Sequence, residues 1–339
     1  MRFATAPAPH VVPQASVRLM MLTVLVALVP GLVAQVWQFG PGVLIQCALA
    51  LAAAEAAEAA VLRWRGKPLA PFLLDGSGAL TAVLLAVSLP PIAPWWLTVF
   101  GTLFAIVIGK QLYGGLGHNP FNPAMVGYAV LLISFPLPMT AWLLPAGVAP
   151  DQPDLTELWA LIFQRISVVD GITMATPLDT MKTQLGMGAG LDQIRNSPLF
   201  GGVAGTGWQW VNFGYLLGGL WLLRQGVIAW QIPAGFLGIL FLVSMACFLA
   251  DPTAYPTPLH HLFGGATMLG AFFIATDPVT ASTTPKGRWI YGALIGLMVF
   301  VIRSWGGYPD GVAFAVLLLN LAAPTLDHFT RPAPYGRKP

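Results

Sequence analysis

The sequence predicts an all-α polytopic membrane protein of about ten transmembrane helices, arranged as two inverted five-helix repeats with short or broken helices. The prediction rests on a scarcity of charge, a series of long apolar runs, and an ordered likeness between the two halves. Of 339 residues, 56% are hydrophobic and 9% charged, against about a quarter charged in soluble domains. Too few charges remain to cover a water-soluble body of this length. The net charge of +3 is small and its basic residues are scattered, so nothing suggests nucleic-acid binding.

Ten apolar segments follow one another at 17–37, 43–62, 77–89, 95–112, 124–144, 210–223, 227–249, 262–275, 289–305 and 311–323. The longest match a hydrocarbon core of ~30 Å, which takes about 20 helical residues. Others, such as 77–89 and 262–275, are shorter and are bounded by Gly76, Gly78, Pro90 and Pro91, or by Gly264, Gly265 and Pro278. Short spans interrupted by Gly and Pro indicate broken helices lining a site near the midplane. Residues 1–16 lack the basic-then-apolar order of a secretory signal, so the first span is expected to be retained.

Basic residues set the orientation. With ten spans, Arg2, Arg18, Arg63, Arg65, Lys67, Lys110, Arg224, Lys286, Arg288, Arg331, Arg337 and Lys338 fall on one side, and Arg303 is the main exception. Both termini are therefore expected in the cytoplasm of a bacterial inner-membrane protein. The hydrophilic stretch 147–209 then faces the periplasm, with six acids (Asp151, Asp154, Glu157, Asp170, Asp179, Asp192) and three bases (Arg165, Lys182, Arg195). The chain divides accordingly into a first membrane repeat (1–146), a periplasmic loop (147–209), and a second membrane repeat with a cytoplasmic tail (210–339).

The halves agree in three ordered blocks. Gly78-Ala79 answers Gly265-Ala266, with Pro91 and Pro278 each thirteen residues beyond the glycine. Lys110-x-x-x-Gly114 answers Arg303-x-x-x-Gly307, and Val126-Gly-Tyr-Ala-Val-Leu-Leu132 answers Val312-Ala-Phe-Ala-Val-Leu-Leu318. Chance likeness among glycine-rich apolar stretches is the competing explanation, and the shared order favours a repeat. Five spans per half, an odd number, make the repeats inverted, as in many transporters.

The 147–209 loop holds Asp170-Gly-Ile-Thr-Met-Ala-Thr-Pro-Leu-Asp179. Asp-Gly favours a tight reversal, and the residue before a proline is pushed toward extended geometry. Thr176 is thus expected to present its hydroxyl outside regular structure, although a threonine in a polar loop needs no special role. The run Asp170, Gly171, Thr173, Ala175, Thr176 matches the flavinylation motif of the Rnf and Nqr redox pumps. The whole chain resembles their D- and B-subunit family, the D subunit of the Rnf complex most. That resemblance implies FMN joined through its phosphate to Thr176. No activating base stands out beside this hydroxyl, so attachment is expected to need a separate periplasmic flavin transferase.

Gly114-Gly-Leu-Gly-His-Asn-Pro-Phe-Asn-Pro123 carries two Asn-Pro units that suit turns. The resemblance associates two asparagines at this spacing with noncovalent riboflavin, which carries over to Asn119 and Asn122. Three carboxylates in or near apolar segments, Glu55, Glu58 and Asp277, are candidates for an ion path, because intramembrane charge is costly. Interfacial pairing of Glu58 with Arg63 or Arg65, and a capping role for Asp277, explain them equally well. His260-His261 are expected at an interface, and the twelve tryptophans mostly flank spans as anchors. Cys47 and Cys247 are expected as buried apolar residues, since one pair does not hold an iron–sulfur cluster. No metal site or catalytic residue of the chain's own is expected.

The resemblance further implies a subunit, not catalytic alone, of a ferredoxin:NAD⁺ oxidoreductase that exports Na⁺ or H⁺. Its partners would be the other Rnf subunits, above all the second one with covalent FMN. Two alternatives stand beside it: a small-solute channel built on the repeat, and the B subunit of a sodium-pumping NADH:quinone reductase. A longer polar N-terminal extension would favour the second of these.

Overall fold

The computed structural model describes residues 16–149, 152–164 and 173–332, and helix occupies all ten apolar segments. The first half contains α1 (Val17–Phe39), α2 (Gly42–Trp64), α3 (Leu69–Leu73), α4 (Ser77–Ala86) and α5 (Trp95–Leu103), which continues into a π-helical segment, Phe104–Gln111. Next come α6 (Pro123–Ser134), the short α7 (Pro136–Thr140) and strand β1 (Trp142–Leu143). The polar loop holds α8 (Leu155–Phe163), β2 (Thr173–Met174), α9 (Pro177–Gly186) and α10 (Leu191–Arg195). The second half holds α11 (Trp208–Arg224), α12 (Gln231–Ala250), α13 (Pro258–Phe263), and α14 (Thr267–Leu269) with a π-helical continuation, Gly270–Ile274. It ends with α15 (Pro285–Trp305) and α16 (Val312–Thr330).

Five of these helices (α1, α2, α12, α15 and α16) are long and apolar enough to cross a membrane. The segments 77–89, 95–112 and 124–144 instead give shorter apolar helices. The last is the largest departure from expectation. Helix α6 stops at Ser134 because Phe135 precedes Pro136 and takes φ −136°, ψ 60°, the helical region being closed to a residue before proline. Segment 289–305 starts earlier, at Pro285, where Thr284 accepts a hydrogen bond from Gly287 N at 3.0 Å. The N-terminal cap and a proline in the first turn together explain the earlier start.

Packing follows membrane rules rather than an oil-drop core. Helices α1 and α11 lie against each other through glycines: a Cβ on Gly214 would sit 2.6 Å from Pro30 O, and one on Gly218 would collide with Ala27 O. Small residues four apart let backbones approach where lipid supplies no hydrophobic drive. Outward, Leu19, Val26 and Val33 of α1, seven residues apart, remain mostly exposed, as does Trp37. An apolar outer stripe of this kind suits lipid as solvent.

Broken helices leave carbonyls that lipid cannot satisfy, and buried polar side chains serve them. Gln46 Nε2 donates to Ala93 O (2.6 Å), Gln35 Nε2 to Val87 O (2.8 Å), and Asn212 Nδ2 to Phe263 O (3.0 Å) and Gly265 O (2.8 Å). These are the residues that hold the 87–94 and 263–266 breaks in place.

Candidate functional site

Strands β1 and β2 pair antiparallel, Trp142 opposite Met174 and Leu143 opposite Thr173. The ladder brings the end of the motif to the end of the helical body. Asp170 and Gly171 lie outside the described residues. Thr173 is half-buried in the ladder and Ala175 is exposed. Thr176 has the extended backbone expected of a residue before proline (φ −61°, ψ 154°) and lies between β2 and α9. It is the N-cap of α9, with Pro177 at the first helical position and its Oγ accepting from Asp179 N at 3.2 Å. A proline suits that position because its missing N–H would have had no partner there. Pro177 seats against Gly205, where a Cβ would collide with its ring.

Thr176 also lines a cavity of ≈ 890 Å³ with Trp142, Trp208, Tyr128, Tyr215 and Asp310. Its aromatic walls are themselves packed: Trp142 and Trp208 meet edge to face with centroids 4.6 Å apart. At the helix start, Asp179 has its carboxyl pushed above the usual range by burial, with Lys182 opposing. Lys182 is pushed down by burial, and its ammonium donates to Ile302 O (3.0 Å) and Tyr308 O (2.9 Å).

A second cavity, ≈ 760 Å³, is lined by Asn119, Asn122, Asp277, Lys110, Ser77 and Phe273, among others. The two asparagines do serve as turn and cap. Asn122 Oδ1 caps α6 through Met125 N at 3.2 Å, and Asn119 Nδ2 donates to Phe121 O at 3.0 Å. Each keeps something in reserve. Asn122 Nδ2 reaches Asp277 Oδ2 at 3.5 Å, and Asn119 Oδ1 is buried without a partner among the described residues. Asp277 caps its own turn, accepting from Val279 N (3.1 Å) and Thr280 Oγ1 (3.2 Å). It therefore holds the capping role and also borders the cavity.

Glu58 is not an interfacial partner of Arg63 or Arg65. It is 1% exposed and pairs with Lys110, Nζ to Oε1 2.6 Å, while Gln111 Nε2 donates to the same oxygen at 2.7 Å. Glu55, one turn away, is half-buried. Arg303, the exception in the charge count, pairs with Asp310 at 3.0 Å. His260 and His261 are buried instead of interfacial, and three of their ring nitrogens find no partner among the described residues. They border a third cavity with Lys182, Arg303, Tyr255 and Trp305. Cys47 is buried and Cys247 half-buried, both as free thiols. Sequence reasoning missed Ser77, Gln111 and the Trp142–Trp208 pair. A lysine inside the apolar 95–112 segment was the available signal for the Glu58 cluster.

This architecture, apolar helices with breaks held by polar side chains and a threonine-capped helix opening onto a cavity, defines an integral membrane protein with cavities between its helices. The chain belongs to the NQR2, RnfD, RnfE family, whose model matches residues 4–336. It is 54% identical to the D subunit of the ion-translocating oxidoreductase complex of Aeromonas hydrophila, over 99% of both chains. It is 53% identical to the same-named protein of Aliivibrio salmonicida, over 100% of this chain and 99% of that one. The Escherichia coli K12 protein of that name is 52% identical, again over 100% and 99%.

Proposed function

We propose that the chain is the D-type membrane subunit of a redox-driven, ion-translocating oxidoreductase of the bacterial inner membrane. The observation that carries the reading is the place of Thr176, a motif threonine that caps a helix and lines an aromatic-walled cavity. Identity above 50% to D-type subunits of such complexes, across nearly the full length, supports it over the quinone-reductase and channel alternatives.

The residues fit a flavin on two counts. A phosphate on Thr176 Oγ would meet the N-terminus of α9, where the helix dipole favours an anion. Asn119 Oδ1, buried without a partner among the described residues, suits the N–H edge of a second, noncovalent isoalloxazine bordered by Asn122. When bound, FMN and riboflavin supply one- and two-electron chemistry that the protein side chains lack. The chain's own part is to hold them in two cavities on a fixed frame, with Tyr215 lining the first and its ring partner Phe273 the second.

In this reading the fold is the ten-span inverted repeat, divided at 146 and 209. The Thr176 loop faces the periplasm, where the flavin transferase works, and both termini face the cytoplasm. The wider complex carries electrons from ferredoxin to NAD⁺, through this subunit and a second one with covalent FMN, and exports Na⁺ or H⁺. Glu55, Glu58 and Asp277 border the ion path. The test is in-gel flavin fluorescence of the chain made with its transferase. The parent band fluoresces, and Thr176→Ala is inserted but dark. A fluorescent Thr176→Ala band moves the attachment to Thr173 or Thr180 and removes the main support.

A further inference from the structure

We propose that Lys110 is the exchangeable occupant of a cation site built around Glu58, holding the place of a hard monovalent cation that displaces it. The inference rests on the ion-translocating reading above and names the part of this subunit that meets the ion.

The site is made of oxygens. Lys110 Nζ donates to Glu58 Oε1 at 2.6 Å and to Ser77 Oγ at 2.7 Å, and Ser77 Oγ donates in turn to Asp75 Oδ1 at 2.5 Å. Carboxylate, hydroxyl and amide oxygens are the ligands a hard cation takes. An amide oxygen is also in reserve: Gln111 is 1% exposed, its nitrogen is bound to Glu58, and its Oε1 has no partner among the described residues. Local backbone supports this grouping. In the π-helical segment Leu112 N bonds Val107 O, and the wider turn brings the adjacent Lys110 and Gln111 to one Glu58 oxygen. Such π-helical turns often mark functional positions. Gly78 keeps the far side bare, since a Cβ there would collide with Glu58 Oε2.

Access is through the lysine. Lys110 and Ser77 line the 760 Å³ cavity, whereas Glu58 does not. A cation arriving by that cavity meets the ammonium before the carboxylate. The same walls offer a displaced ammonium another acceptor, the Asp277 carboxylate.

The second half supplies the contrast. Beside Gly265, at the place matching Gly78, a buried cation again pairs with a carboxylate, but here it is Arg303 with Asp310. Its guanidinium is also tied to His261 O (2.7 Å), Gly264 O (3.3 Å) and Thr267 Oγ1 (2.9 Å). That fork is fixed. A lysine is a compact point charge on a flexible stem, so the same layout is locked in one half and exchangeable in the other. A pair kept only for stability gains little over apolar residues of similar size.

The test titrates Na⁺ against ferredoxin-driven NAD⁺ reduction by the complete complex in liposomes. Removing the competing occupant raises apparent affinity in proportion to the time the site is otherwise filled. Lys110→Met should lower the half-saturating Na⁺ concentration by about tenfold or more, and Lys110→Arg should raise it while the complex still assembles. Adding Glu58→Gln to either variant should abolish the Na⁺ response. An assembled, flavinylated Lys110→Met complex with the parental half-saturation overturns the proposal. Should that variant fail to assemble, unchanged half-saturation in Lys110→Arg overturns it equally. The ion-translocating reading fails separately, if the parent complex carries no Thr176 flavin or moves no ion. A parent that turns over and pumps but ignores Na⁺ overturns the cation site alone.

Discussion

Arg303 Nη2 lies 3.0 Å from Asp310 Oδ1, and the same guanidinium covers the carbonyls of His261 and Gly264 where α13 breaks before α14. One side chain thus neutralises a carboxylate and serves the carbonyls at a helix end. Arg303→Gln would leave Asp310 without its charge partner and two backbone carbonyls exposed to an apolar interior. The expected loss is about 3–5 kcal/mol, the usual cost of breaking a buried pair. It should appear as a large drop in the thermal midpoint of the purified protein in detergent. Arg303→Gln with an unchanged midpoint would show that Asp310 and the break are held by other contacts.

Helices α1 and α11 meet where Gly218 faces the Ala27 carbonyl. Gly218→Leu inserts a branched side chain into backbone contact, and overpacking of this kind costs roughly 1–3 kcal/mol or more. The variant should yield less folded protein, while Gly226→Ala, in open space, should show only the smaller strain of its positive φ. Equal yields of folded protein from the two would argue against a close α1–α11 contact.

Much of this frame was legible in the sequence. Each of the ten apolar runs contains helix, five of them long enough to cross a membrane, and Gly76, Pro90 and Gly264–Gly265 marked where helices fail, because those signals are local. The end of α6 was not legible from hydropathy, since the run 124–144 stays apolar past Phe135 while Pro136 stops the helix for steric reasons. Partners were not legible either. That Glu58 answers Lys110, 52 residues away, depends on helix packing that no spacing rule fixes. Thr176 was found through its motif, yet its N-cap geometry needed only the Thr-Pro order and the acid at Asp179, a signal present in the sequence.

Helix α8 carries a pH-dependent clasp. Asp154 Oδ1 accepts from Glu157 N at 2.7 Å and Glu157 Oε2 accepts from Asp154 N at 3.1 Å, a reciprocal capping box. The Glu157 backbone N–H and the Thr156 hydroxyl hold the Asp154 carboxyl below its ordinary value. A carboxylate lowered in the folded state stabilises above its unfolded pKa, and that contribution is lost as pH falls through the folded one. Protease cleavage within 155–163 should therefore accelerate below about pH 4, and Asp154→Ala should cleave faster already at pH 7 with little further acid dependence. A parent and variant with parallel pH profiles would mean that the box does not govern this helix.

Orientation is the remaining expectation, and the structure sharpens its test. Lys110 and Arg303 are buried cations held in ion pairs, so neither counts among the free charges that set topology, and the one major exception to the charge rule is removed. Arg63, Arg65, Lys67, Arg224, Lys286 and Arg288 remain. Lys67 Nζ reaches Gly114 O at 3.5 Å and Asn122 reaches Asp277, which places the loops after α2, before α6 and before α15 at one end. Ala146 N bonds Gln38 O at 2.8 Å and Lys182 bonds Tyr308 O, which gathers the Thr176 loop with the opposite turns. Positive loops stay in the cytoplasm, so the Thr176 end should face the periplasm. In a background with Cys47 and Cys247 replaced, Met187→Cys, at an exposed position of the loop, should react with a membrane-impermeant thiol reagent added to intact cells. Lys286→Cys should react only after the membrane is opened. The reverse pattern would place Thr176 in the cytoplasm, out of reach of a periplasmic transferase, and would separate the fold from the flavin reading built on it.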